Sequence, residues 1–175
     1  MLADGEALDA DLAWAGGRIT AIGAAVPEPE VAIDATGAWV LPGIVDVHGD
    51  AFERCLMPRP GVRFPGPLAM ADNEAQLVAS GVTTFFLSAT DSYEPGLRSR
   101  ETLRELVDLL AARPPGVDVR LHVRHEVCNT DGHDELAAWL DDGTIAMFSI
   151  NDHTPGGIAH MNIDNATRSV QTRTG

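Results

Sequence analysis

The sequence predicts an α/β fold in which parallel strands alternate with crossover helices. From residue 39 onward, short apolar runs rich in β-branched residues alternate with segments whose apolar residues recur at helical spacing. Four such strands are predicted, whereas an eight-stranded barrel normally takes about 250 residues. The 175 residues therefore supply half of a (β/α)8 barrel or build an open parallel sheet.

A small β unit precedes this pattern, in residues 1–38. Residues 12–22 predict a hairpin that turns at Gly16 and Gly17. A proline-containing loop follows, and residues 31–33 predict a further short strand.

Boundary signals place the elements that follow residue 38. Gly81 ends the first predicted helix as a C-cap would, and Pro114 closes the second. The tail, residues 158–175, is polar and lacks hydrophobic periodicity, so it is predicted to be irregular. The predicted strands are residues 39–47, 82–89, 117–127 and 144–150, and the predicted helices are 68–80, 99–113 and 134–140.

The composition disfavours several classes of function. Lys and Arg number 12 against 26 Asp and Glu, and the net charge of −14 disfavours binding to nucleic acid or to a membrane surface. No apolar run approaches the roughly 18–20 residues of a membrane-spanning helix, and the N-terminus lacks the basic segment of a signal peptide. Two cysteines are too few for a disulfide framework, so a reduced, cytoplasmic protein is expected.

Three of the predicted strands end in side chains that bind metals. Asp46, His48 and Asp50 alternate along the first strand and its end, and alternate residues of a strand share one face. Glu126 ends the third strand, and His153 follows the fourth. The carboxyl ends of parallel strands form the active-site edge of such folds. We therefore expect His48, Asp50, Glu126 and His153 to bind a divalent metal, Zn²⁺, Mn²⁺ or Fe²⁺.

The remaining candidate ligands have simpler explanations. Cys55 and Cys128 fit small buried apolar residues. Asp152 projects from the face opposite its neighbour if the strand stays regular, so the general base is left open. Structural or solvated positions are predicted for the other histidines: His122 within the sheet, His125 toward the helices, His133 in a turn and His160 in the tail.

A proline-rich loop follows the first strand of this pattern and carries two arginines. Arg59 and Arg63 lie among Pro58, Pro60 and Pro65, which restrict the backbone. Guanidinium groups held near a metal site suit phosphate recognition. The alternative is a solvated loop whose charges have no function.

Several motifs together resemble those of the amidohydrolase superfamily, and within it the diphosphatases of phosphonate metabolism. The general motif Pro-Gly-Ile-Val-Asp-x-His indicates the superfamily, while the proline-arginine and Asp-His-Thr-Pro-Gly motifs are more specific. The matching segments are WVLPGIVDVHGD at residues 39–50, PRPGV at 58–62, VASGVTT at 78–84, LHVR at 121–124 and DHTPG at 152–156.

The resemblance implies a partial β-sandwich in residues 1–38 and the N-terminal half of a metal-dependent (β/α)8 barrel in residues 39–157. It implies that His48 and Asp50 are the metal ligands on the first strand. It also implies that Glu126 is a carboxylate that bridges two metal ions and that His153 is a ligand of the second ion. It also implies a phosphorylated small-molecule substrate, a nucleotide-like triphosphate from which pyrophosphate is released. Arg59 and Arg63 would then contact phosphate.

The resemblance also implies that this family continues beyond residue 157, so the chain is expected to be a truncated homologue. Two other functions stay open at this point. One is an amidohydrolase that cleaves C–N bonds, because the metal chemistry is shared. The other is a catalytically inactive remnant, or an interaction module that self-associates through its open half-barrel.

Overall fold

The computed structural model describes residues 5, 7–113, 116–153 and 162–174. The chain divides into two compact units, Met1–Pro42 and Gly43–Gly175. None of the helices in the described ranges combines the length and the apolar character that crossing a bilayer requires.

The N-terminal unit contains a β-hairpin. Strands β1 (Asp11–Ala15) and β2 (Arg18–Gly23) pair in antiparallel register. Gly16 and Gly17, between them, have φ angles of +57° and +74°, as a two-residue hairpin turn requires. The predicted hairpin is therefore confirmed.

The strand predicted at residues 31–33 does not form. Val31 and Ile33 are 74% and 72% exposed, and the described chain provides no strand that pairs with them. Without a partner, a short run of β-branched residues has neither backbone hydrogen bonds nor apolar burial to hold it extended.

The second unit is built on a curled parallel sheet that fits half of a β/α barrel. This agrees with the predicted mixed α/β class. The first strand begins later than predicted, after Pro42 and Gly43. In the described chain the strand order is β3-β4-β5-β6, with β3 Ile44–Gly49, β4 Val82–Asp91, β5 Asp118–Glu126 and β6 Ile145–Asn151.

Helices connect the strands at the predicted places, and several end signals act as expected. Gly81, just after α2 (Gly66–Ala79), has a φ angle of +74°, which completes the C-cap. Ser99 caps α3 (Arg100–Ala112), because its hydroxyl accepts a hydrogen bond of 3.2 Å from the Thr102 N–H. The described helices are α1 Phe52–Leu56, α2 Gly66–Ala79, α3 Arg100–Ala112, α4 His133–Asp141 and α5 Ile163–Thr174.

The core lies between these helices and one face of the sheet. Leu103 and Leu106 of α3 are each 1% exposed and belong to the same apolar cluster as Phe85 and Leu87 of β4. Because side chains alternate along a strand, the intervening residues of β4 line the opposite, inner face. We call the two sides the helix-covered face and the inner face.

Helix α5 lies in the segment for which the sequence predicts an irregular tail. Its start is capped by Asn162, whose side-chain oxygen accepts a hydrogen bond of 3.2 Å from the Asn165 N–H. The polar composition of the segment obscures this local helix signal. Residues 154–161, which include His160, lie outside the described residues.

Candidate functional site

Glu126 and His153 meet at the carboxyl end of the sheet. Glu126 is the last residue of β5 and is 4% exposed, and His153 follows β6. The His153 backbone N–H donates to Glu126 Oε2 at 3.0 Å, and the His153 ring nitrogen Nδ1 is hydrogen-bonded to Oε1 of the same carboxylate. The structure thus brings two of the predicted ligands into direct contact.

A guanidinium group lies beside this pair. Arg124 Nη2 is 3.3 Å from His153 Nε2. When the Asn151 amide is oriented to satisfy its neighbours, its oxygen accepts a hydrogen bond of 3.1 Å from Arg124 Nε. Sequence analysis gave Arg124 no role, although its position two residues before Glu126 places both side chains on the inner face.

His122 is also on the inner face, but both of its ring nitrogens have partners. Nδ1 is 3.0 Å from the Ser88 hydroxyl and Nε2 is 3.0 Å from the Ser149 hydroxyl. Burial lowers the pKa of His122, and the nearby His48 lowers it further. A neutral imidazole that joins three strands through hydroxyl groups agrees with the structural role predicted for it.

The two ligands predicted on the first strand differ in exposure from Glu126, which is buried. His48 is exposed, and its ring centroid is 5.8 Å from that of His122. Asp50 is exposed too. Its carbonyl accepts a hydrogen bond of 3.0 Å from the N–H of Glu53, in the first turn of α1.

The register of β3 explains part of this arrangement. Its pairing with β4 shifts between Asp46 and Gly49, and the His48 N–H donates to Asp46 Oδ1 at 3.0 Å. Strict alternation therefore does not extend from Asp46 to His48, and the prediction that Asp46, His48 and Asp50 share one face is wrong for Asp46.

A divalent ion needs several ligand atoms that converge on one point. Glu126 and His153 supply a carboxylate and an imidazole side by side. Nδ1 of His153 is hydrogen-bonded to Glu126 and Nε2 is 3.3 Å from Arg124 Nη2, so an ion bound by His153 would have to replace one of these contacts. Among the residues that the structure describes, no group of three or more His, Cys, Asp or Glu side chains is arranged to hold a metal. One copy of the chain thus presents a two-residue donor set, and the four-ligand site stays a prediction.

The two loop arginines differ in their surroundings. Arg63 donates to Thr102 Oγ1 at 3.0 Å and forms an ion pair with Glu105 of α3. Arg59 is exposed, in a turn that its carbonyl closes by accepting a 3.1 Å hydrogen bond from the Val62 N–H. A phosphate role for either residue stays a prediction, and for Arg63 it would require exchange of the Glu105 carboxylate for phosphate.

A second ionic cluster, on the helix-covered face, was not predicted. Asp91 is fully buried, and its two oxygens are each 2.6 Å from nitrogen atoms of Arg100. His125 Nδ1 is 2.6 Å from Asp91 Oδ2, so His125 faces the helices as predicted. Arg100 and His125 lie 9 and 34 residues from Asp91 in sequence, and neither spacing indicates the contact.

Both cysteines are free thiols. Cys55 belongs to the buried core, and Cys128 is half-buried. Burial is the largest cause of the raised pKa of each thiol.

Comparison with known proteins gives one informative relationship. The chain is 27% identical, over 161 residues, to the alpha-D-ribose 1-methylphosphonate 5-triphosphate diphosphatase of Escherichia coli (strain K12). The match covers 89% of this chain and 43% of that enzyme, so the chain spans less than half of the relative's length. This supports a distant relationship to that diphosphatase. No family model matches the chain, and no solved structure matches it.

Proposed function

We propose that this chain carries part of the active site of a metal-dependent hydrolase that acts on phosphoric anhydrides in phosphonate metabolism. The observation that supports this most is the contact of Glu126 with His153 at the carboxyl edge of a half-barrel, in a chain distantly related to a diphosphatase. Catalytic groups of parallel α/β folds occur at this edge.

The residues around the contact suggest a division of roles. Glu126 and His153 would hold one divalent ion, and the resemblance adds His48 and Asp50 to the same centre. A bound ion of this kind polarises a phosphoryl oxygen and lowers the pKa of a coordinated water. Arg124, 3.3 Å from His153 Nε2, would bind a phosphoryl oxygen and orient the triphosphate.

The proposed substrate is a ribose 5-triphosphate, which would be cleaved to the 5-phosphate and pyrophosphate. A triphosphate carries several negative charges, whereas the chain has a net charge of −14. Local cations are therefore needed to bind it. Arg124 is one, and exposed Arg59 is a second that the loop would supply.

Pyrophosphate release tests this proposal. The purified chain is incubated with ATP as the triphosphate probe, with Zn²⁺, Mn²⁺ or Fe²⁺ added in separate reactions. We expect release of AMP and pyrophosphate, and Glu126→Gln should abolish it by removing a metal-binding charge while preserving side-chain shape. Glu101→Gln is the matched control, because Glu101 is an exposed residue of α3, which packs on the helix-covered face of the sheet.

Two results would contradict the proposal. Equal pyrophosphate release by the Glu126→Gln protein would remove Glu126 from the site. No release with any of the ions, from a chain shown to be folded, would favour the inactive remnant. Cleavage of N-acyl amino acids in place of ATP would favour an amidohydrolase acting on C–N bonds.

A further inference from the structure

The His153 ring has a hydrogen-bond partner on each of its two nitrogens. Nδ1 is hydrogen-bonded to Glu126 Oε1, and Nε2 is 3.3 Å from Arg124 Nη2. A guanidinium group has donors only, so Nε2 is the acceptor in this contact. Nδ1 then carries the ring proton and donates it to the carboxylate. Arg124 therefore occupies the single lone pair that a neutral imidazole offers.

A metal ion bound by His153 needs the same lone pair. If the ion binds Nε2, it takes the place of Arg124. If the ion binds Nδ1, the ring proton moves to Nε2, and an N–H then faces the N–H groups of Arg124. Arg124 loses its acceptor in both arrangements. An ion on His153 and the contact of Arg124 with His153 therefore exclude each other.

The charge of Arg124 has no carboxylate partner within the described ranges. Its second contact is with the Asn151 amide oxygen, 3.1 Å from Nε. By contrast, Arg120 of the same strand is paired with Asp118. The strand that carries Arg124, β5, is hydrogen-bonded to β4 on one side and to β6 on the other, so Arg124 does not lie on an open edge. A guanidinium group released from His153 keeps its Asn151 contact and has free donors for an oxyanion.

We propose that Arg124 couples metal binding to phosphate binding. Without an ion, Arg124 is held on His153. When an ion takes the His153 lone pair, Arg124 releases the ring, stays bound to Asn151 and turns its Nη groups to a phosphoryl oxygen of the substrate. By thermodynamic linkage, the phosphate then favours the ion as much as the ion favours the phosphate. This inference rests on the proposed function, because it takes His153 to be a metal ligand.

Nitrogen NMR of the metal-free protein tests the contact itself. The His153 Nε2 signal should have the chemical shift of a hydrogen-bond acceptor, and in Arg124→Met it should move to that of a nitrogen without a hydrogen bond. Arg120→Met is the matched control, because it removes a cation from the same face of β5, nearer the amino end. A His153 signal that does not respond to Arg124→Met would overturn the proposal.

Competition with a chelator measures the affinity for Zn²⁺. We expect Arg124→Met to raise this affinity about tenfold, because it removes a competing donor and a nearby like charge. Arg120→Met should leave it unchanged. Asn151→Ala keeps the charge but frees one end of the guanidinium group, so it should raise the affinity roughly threefold. Circular dichroism confirms that each variant is folded. An unchanged or lower affinity in Arg124→Met would show that Arg124 does not compete with the ion.

Calorimetry with methylphosphonate measures the second half of the exchange. This anion has one phosphoryl group and does not chelate an ion as pyrophosphate does. Arg124→Met should weaken its binding to the zinc-loaded protein about tenfold, through loss of a charged hydrogen bond. The metal-free protein should show a much smaller effect, because Arg124 is then held on His153. Equal weakening in the two states would contradict the coupling.

These measurements separate the exchange from the proposed hydrolysis. If no variant binds Zn²⁺, the metal centre and the exchange are both wrong. If Zn²⁺ binds equally tightly to wild type and Arg124→Met, only the exchange is wrong. If the Arg124 effects are as expected but no pyrophosphate is released from ATP, the exchange stands and the proposed hydrolysis is wrong.

Discussion

Asp91 of β4 binds Arg100 of α3 with both carboxylate oxygens, each at 2.6 Å, and its side chain is fully buried. Asp91 Oδ2 is also 2.6 Å from His125 Nδ1, so one carboxylate connects two strands and a helix. When one partner is removed from a buried ionic cluster, the remaining charged groups have already lost their hydration and no longer have an opposite charge to offset that loss.

We therefore expect Asp91→Asn to lower the free energy of unfolding by about 3–5 kcal/mol. The amide keeps the shape but removes the buried negative charge beside His125, and it leaves Arg100 with Glu135, at 3.4 Å, as its acidic partner. Urea denaturation measures the change. Asp118→Asn is the control, because the Asp118–Arg120 pair is about half exposed and should contribute little. Equal effects of the two substitutions would show that the buried network does not stabilise the fold.

The lowered pKa of Glu135 predicts that the free energy of unfolding changes with pH. Hydrogen bonds from Arg104 at 2.8 and 2.9 Å lower the pKa of Glu135, and Arg100 lowers it further. A carboxyl whose pKa is lower in the folded state stabilises the protein above its unfolded value, here 4.5, and this contribution disappears as pH falls through the folded value.

The difference in unfolding free energy between wild type and Glu135→Gln should thus be largest at about pH 6 and shrink steadily below about pH 4.5. Chemical denaturation over this range gives the two curves. Glu30→Gln, at an exposed position of the N-terminal unit, controls for general acid effects. A difference that grows on acidification would contradict the assignment.

Gly49 is predicted to tolerate no side chain. A Cβ atom built on Gly49 overlaps the ring of Phe85, which is 1% exposed. We expect Gly49→Ala to cost about 1–3 kcal/mol by overpacking. In a double-mutant cycle with Phe85→Leu, the combined cost should be less than the sum of the single costs, because the smaller side chain removes the ring. Simple additivity would refute the contact.

The order and type of the main elements could be predicted because each has a local signal. Gly81 has the positive φ angle of a C-cap, and the apolar spacing of Leu103 and Leu106 gives the buried face of α3. Helix α1 has five residues and no such periodicity. The register shift of β3 occurs beside a side-chain hydrogen bond of Asp46, and a hydrophobic pattern encodes neither.

The candidate site likewise has some features that the sequence predicts and others that it does not. That Glu126 and His153 approach each other follows from strand direction, because both follow apolar strands that run parallel. Glu105, which pairs with Arg63, lies 42 residues away in sequence, and His125 lies 34 residues from Asp91, each on another element. Only the packing of helices on the sheet brings such residues together, so spacing within one segment does not indicate them.

The contact between Asp91 and His125 also has a consequence for the alignment of β5. These two residues are paired across neighbouring strands. A slip of β5 by one position would reverse its two faces, placing the Glu126 carboxylate in the apolar layer near Asp91 and the His125 imidazole on the inner face. Two buried acids would then face a single Arg100. Asp91 thus selects which side chains of β5 reach the candidate site, although it lies on the other side of the sheet.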